Sequence, residues 1–152
     1  MIFIREALHL FFPIIAALVA MLLSQFIKIL LAMFRQKKVR LEQVPTMGGM
    51  PSAHTALVTA LSVSIGLKDG WSSSLFAISS CMSIVIIYDA TGIRRAVGLQ
   101  AECLNHIMTD IIEGKPFPVK RLNELLGHTP LQVIIGGLIG ALVSYSFYLL
   151  SS

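Results

Sequence analysis

A chain of 152 residues that is 55% hydrophobic and 13% charged, with a mean hydropathy of +0.79, falls well short of the roughly 25% charge of a soluble domain. Its charge is gathered in a few short stretches separated by long uncharged ones, the pattern of membrane spans and loops. Cys81 lies in an apolar run and Cys103 in a polar stretch, with no CxxC or Cys/His spacing, so neither a disulfide framework nor a zinc site is supported and no cofactor is expected.

Residues 8–27 form a mostly apolar stretch of the length that crosses a hydrocarbon core, about 20 residues. The helical pattern continues through Lys28 to Phe34 and ends at the basic run Arg35, Lys37, Lys38 and Arg40. Arg5 precedes this run, but the run is too long for a signal peptide and lacks a small-residue cleavage site, so a retained anchor is expected. A polar loop with Met47-Gly48-Gly49-Met50 then leads to Pro51-Ser52. Residues 54–67 make a second apolar segment, closed by Lys68-Asp69-Gly70; bearing Thr55, Thr59, Ser62 and Ser64, it should pack among other helices rather than face lipid.

The third span is expected over residues 75–88, entered through Ser72-Ser73-Ser74 and ended by Asp89, and the fourth over residues 131–150. Between them Ile93, Val97, Leu104, Met108 and Ile111 recur at helical spacing opposite Arg94, Glu102, Asn105 and Glu113. That pattern predicts an amphipathic helix lying in the interface or capping the bundle. Gly114-Lys115-Pro116-Phe117-Pro118 breaks it, and a short helix over residues 119–126 leads to Gly127-His128. The expected fold is one all-α membrane domain over residues 1–152, a polytopic helical bundle of about four transmembrane helices plus an amphipathic connecting helix.

Counting spans puts the loop over residues 35–52 and the connection over residues 89–129 on one side, with Arg35, Lys37, Lys38, Arg40, Arg94, Arg95, Lys115, Lys120 and Arg121. The other side holds Arg5 and Lys68. The positive-inside rule makes the basic side cytoplasmic, in the plasma (inner) membrane, although cations kept to bind phosphate would bias the same count.

Three places on the basic side look chemical. Lys28 and Arg35 are seven residues apart, share a helix face about 10 Å apart along the axis, and either lean toward one anion or snorkel to headgroups. Pro51-Ser52-Ala53-His54 opens the second segment, where backbone N–H groups attract phosphate oxygens; Ser52 either caps the helix or donates to a ligand. Gly127-His128-Thr129-Pro130-Leu131-Gln132-Val133 places Gln132 four residues after His128, in reach of one imidazole nitrogen. Gly136, Gly137 and Gly140 follow as a small-residue face for close helix approach, within the chain or in a homo-oligomer through Gly136 and Gly140. Asp89, at the end of a span, is a candidate partner for a site arginine or for His128, or a plain helix-end charge.

Taken together these residues resemble the type 2 phosphatidic acid phosphatase superfamily, which includes lipid phosphate phosphatases and vanadium haloperoxidases, and specifically its divergent branch of small membrane proteins. Lys28 and Arg35 match the first motif, Lys, six residues, Arg-Pro, with Gln36 in place of proline. Pro51, Ser52 and His54 match Pro-Ser-Gly-His, with Ala53 in place of glycine. His128, Pro130, Val133, Gly136 and Gly140 fit the third motif, in which Gln132 replaces an aspartate and Leu122 an arginine.

The resemblance implies phosphoryl transfer without a metal. His128 would be the nucleophile and form a phosphohistidine, with Gln132 its partner. His54 would be the acid and then the base. Lys28, Arg35, Ser52 and the backbone at Ala53 would hold the phosphoryl oxygens. Arg94 and Arg95, preferred over Arg121, would replace the missing arginine. The implied partners are membrane lipids with phosphate or diphosphate headgroups, not nucleic acid. A catalytically weak phospholipid-binding or lipid-translocating protein is the alternative, and Gln132 in place of an acid favours it.

Overall fold

The computed structural model describes residues 2–35, 49–111 and 127–151. Five helices account for nearly all of them: α1 (Ile2–Arg35), α2 (Ala53–Asp69), α3 (Ser74–Thr91), α4 (Ile93–Ile111) and α5 (Pro130–Ser151). No strand occurs among the described residues. The expected short helix over residues 119–126 and the basic residues Lys37, Lys38, Arg40, Lys115, Lys120 and Arg121 lie outside them.

The helix limits follow from local chemistry. Ser52 caps α2 by accepting the Thr55 N–H on its Oγ, and Ser73 caps α3 by accepting the Phe76 N–H at 3.1 Å. At the far end of α2, Gly70 takes φ 92°, a conformation that costs a residue with a Cβ, and its N–H reaches the Gly66 carbonyl at 3.1 Å. Trp71 folds back onto Gly66, where a Cβ would strike the indole, and meets Phe76 edge-on with ring centroids 5.1 Å apart.

Three helices carry stretches long and apolar enough to cross a membrane: Phe11–Phe34, Ser74–Asn105 and Pro130–Leu150. The second of these runs through the whole of α3 and on into α4. With 17 residues, α2 would extend about 26 Å, short of the roughly 30 Å hydrocarbon core. It is instead the enclosed helix, packed against α1, α3 and α5, as its hydroxyl content predicts.

Small residues make that enclosure close. Ala17 and Ala20 of α1 form one buried cluster with Ala56 and Ala60 of α2, with Leu57, Leu61 and Val143 against it. The serines are satisfied between helices. The Ser83 hydroxyl lies 3.0 Å from the Val58 carbonyl and 2.8 Å from that of Ser79, so the Ser62 hydroxyl, 2.8 Å away, donates to Ser83 Oγ. Ser64 donates to Ser144 at 3.0 Å, and Ser144 to the Ala60 carbonyl at 2.8 Å. Large apolar side chains such as Leu22, Phe26, Ile84, Val85 and Leu142 point outward, the arrangement a lipid-facing surface requires.

Among the helices, α4 touches α3 alone. It buries Gly98 and Asn105 and turns Val97 and Leu104 outward, each at least half exposed. A helix facing water does the reverse, so the outer stripe of α4 suits the bilayer interface.

Candidate functional site

The first turn of α5 is built as a reciprocal cap. Thr129 precedes Pro130, whose missing N–H costs nothing at the first helical position. The Gln132 N–H donates to Thr129 Oγ1 at 3.4 Å, and the Thr129 N–H donates to Gln132 Oε1 at 3.1 Å. This is a Thr-x-x-Gln capping box, two helix-end donors satisfied by each other's residue.

The same Oε1 lies 3.1 Å from His128 Nδ1. Because the backbone N–H of Thr129 can only donate, it fixes the amide with its oxygen toward both groups. An amide oxygen can only accept, so His128 Nδ1 must carry the proton. In the neutral imidazole the lone pair is therefore on Nε2. The spacing in sequence points to the His128–Gln132 contact; sequence reasoning missed the cap that orients the amide, whose signal is the Thr-x-x-Gln spacing itself.

Three backbone contacts bring the other helix ends to this turn. The His128 N–H donates to the Ala90 carbonyl at 2.9 Å, joining it to the last turn of α3 beside the partly buried Asp89. The Ser52 N–H donates to the Gln132 carbonyl at 3.0 Å, joining it to the start of α2. Gly49 lies against the side chain of Lys28, where a Cβ on the glycine would fall 3.8 Å from Lys28 Cγ, and this joins the loop before α2 to the last third of α1.

Lys28, Ser52, Ala53, Asp89, His128 and Gln132 thus share one end of the bundle. Arg35 is the last residue of α1, and Arg94 and Arg95 stand in the first turn of α4, directly after the α3 end that holds His128. His54, in the first turn of α2, is exposed. Ser52 has no exposed surface, and its Oγ accepts from the Thr55 hydroxyl at 2.9 Å as well as from the Thr55 N–H, so it caps α2.

Gly136 and Gly140 are consumed inside the chain. A Cβ on Gly136 would collide with the Ser52 carbonyl oxygen, and one on Gly140 with that of Ala56. The glycine face expected to serve a homo-oligomer is therefore covered by α2, and its role is to let the start of α2 reach the His128 turn.

The divergent PAP2 family matches this sequence over residues 11–143, a stretch containing every residue that converges here. The chain belongs to the divergent PAP2 family. A relative in Bacillus subtilis (strain 168), named as uncharacterized membrane protein YuiD, is 40% identical over 144 residues, covering 88% of this chain and 91% of its own. No solved structure matches the sequence. Membership of the divergent PAP2 family accounts for Lys28, His54 and His128 falling in the order of the three phosphatase motifs, and for the all-α membrane bundle that carries them.

Proposed function

We propose that this divergent PAP2 protein is a membrane phosphatase or phosphotransferase that acts on lipid phosphates or diphosphates through a phosphohistidine on His128. The observation that carries the reading is the Gln132 oxygen held by Thr129, because it leaves a lone pair on His128 Nε2, as a nucleophile needs. Nε2 forms a bond to phosphorus while the bond to the leaving oxygen breaks, and His54 gives that oxygen a proton. Water then attacks phosphorus, His54 takes its proton, and the phosphorus–nitrogen pair returns to Nε2. Lys28, Arg35 and the arginines of α4 offset the charge on the phosphoryl oxygens, with backbone N–H groups at the start of α2 around Ala53. Asp89 pairs with one of those arginines or steadies His128.

Vanadate tests the site, since its trigonal-bipyramidal form mimics the transition state. It is expected to inhibit phosphate release and to bind between His128, His54, Lys28 and Arg35, with chelators without effect. Inhibition by EDTA, or vanadate bound elsewhere, would overturn the proposal.

A second reading is a phosphate pocket for phospholipid recognition or translocation. Gln132 supports it, since a neutral amide stabilises imidazolium poorly, and the corresponding exchange in a serine protease costs about ten-thousandfold in turnover.

The site end is proposed to be cytoplasmic, on the charge asymmetry of the loops. Cysteines placed at Ser72, on the far end, and at Thr129, beside His128, test this in a background without Cys81 and Cys103. An impermeant reagent added to intact cells is expected to label Ser72→Cys only. The opposite pattern would mean that phosphate-binding cations, not topology, set the loop charge.

A further inference from the structure

The face of α1 turned into the bundle runs through Ala17, Ala20, Ser24 and Lys28, all buried. Ser24 has no exposed surface, and its Oγ has no hydrogen-bond partner. Beside it, Gln25 Oε1 is also buried and unpartnered. Elsewhere the chain pairs its buried hydroxyls, as Ser62 with Ser83 and Ser64 with Ser144 show. An unpaired polar atom inside a membrane span is costly, because no water is there to satisfy it. Both such atoms stand about one helical turn, near 6 Å along the axis, from Lys28 on its bilayer side.

We propose that Ser24 and Gln25 form a second ligand subsite, continuous with Lys28 and one turn deeper, that takes the oxygen-bearing backbone of a glycerol-based lipid phosphate. The inference rests on the reading above in one respect, that the phosphate lies at Lys28. A lipid so placed sends its chain toward the bilayer interior, and the groups next to its phosphate fall at the depth of Ser24. Gln25 Oε1 requires a donor, and the Ser24 hydroxyl can donate. A monoacylglycerol phosphate supplies both counterparts, a free hydroxyl for Gln25 and an ester carbonyl for Ser24. An alkyl or polyprenyl phosphate presents only hydrocarbon there and leaves both atoms unpaired.

The test compares monooleoylglycerol phosphate with oleyl phosphate, which share a phosphate and a chain and differ in the glycerol ester. Full-length protein in nanodiscs is expected to show the lower KM for the glycerol compound. Ser24→Ala with Gln25→Leu should narrow the ratio of the two KM values about tenfold, the worth of one well-made hydrogen bond. Lys28→Ala should raise both KM values together. Ser24→Ala removes an unpaired oxygen and adds no volume, so its melting temperature without ligand should not fall. An unchanged ratio, or equal loss on both lipids, overturns the subsite. A change in melting temperature with no change in ratio would mean that the pair holds ordered water only, which also overturns it. If neither lipid is hydrolysed, the enzymatic reading fails, while the same ratio taken from ligand-induced shifts in melting temperature still decides the subsite.

Discussion

His128→Ala is expected to reduce phosphate release from lipid phosphates to background. Removing the nucleophile of a serine protease costs roughly a millionfold, and nothing else among the described residues at this end supplies a lone pair held by a fixed amide. The variant should keep its fold, since the backbone N–H that bonds the Ala90 carbonyl is unaffected by the side chain. A variant that still releases phosphate at the parent rate would remove His128 from the chemistry.

Gln132→Glu is expected to raise turnover, by tenfold or more within the ~10⁴ that separates carboxylate from amide at such a position. Glutamate serves a capping box as well as glutamine does, and a negative charge in the first turn of α5 is favoured by the helix dipole, so stability should hold or improve by about 0.3–1 kcal/mol. The carboxylate would still accept from Thr129 N–H and His128 Nδ1, and would add the charge that stabilises imidazolium as the phosphorus–nitrogen bond forms. A recognition or translocation site forecasts the opposite, because an added negative charge near the phosphate weakens binding by repulsion. Hydrolysis and binding measured on the same preparations separate the two. Weaker binding with no hydrolysis in either form would leave recognition as the function.

The bundle was legible in sequence because spans in lipid are written in long uncharged runs, and the enclosed position of α2 because Thr55, Ser62 and Ser64 have no place facing lipid. The convergence of Lys28, Ser52 and His128 was legible through motif order. What the sequence did not disclose depends on three-dimensional crossing. Ser52 was open between capping and donation until the Thr55 hydroxyl and N–H were both found on its oxygen. The glycines were open between a seam in the chain and a seam between copies until α2 was found against them. Ala90 carries no side-chain signal at all; its part is a carbonyl. Ser24 and Gln25 read as ordinary polar breaks in an apolar run, and only burial without partners sets them apart.

Gly136→Ala and Gly140→Ala are expected to destabilise the protein and disable the site together. In each, the added methyl meets the backbone of α2, the Ser52 carbonyl in one case and the Ala56 carbonyl with the Ala60 N–H in the other, so no flexible side chain can give way. Overpacking of this kind costs about 1–3 kcal/mol. Relief requires α2 and α5 to separate at the turn where the Ser52 N–H bonds the Gln132 carbonyl at 3.0 Å, and that bond holds the start of α2 to the His128 turn. Phosphate release or vanadate binding should therefore fall at temperatures where the fold still persists. Gly137→Ala is the control. A Cβ there would lie 3.7 Å from Thr59 Oγ1 and 3.9 Å from Thr55 Cγ2, which is ordinary contact, and alanine gains about 1 kcal/mol of helix propensity over glycine. Thermal unfolding in one detergent should then rank Gly137→Ala at or above the parent and the other two below it. If all three behaved alike, the close crossing of α2 and α5 would not be what positions the site.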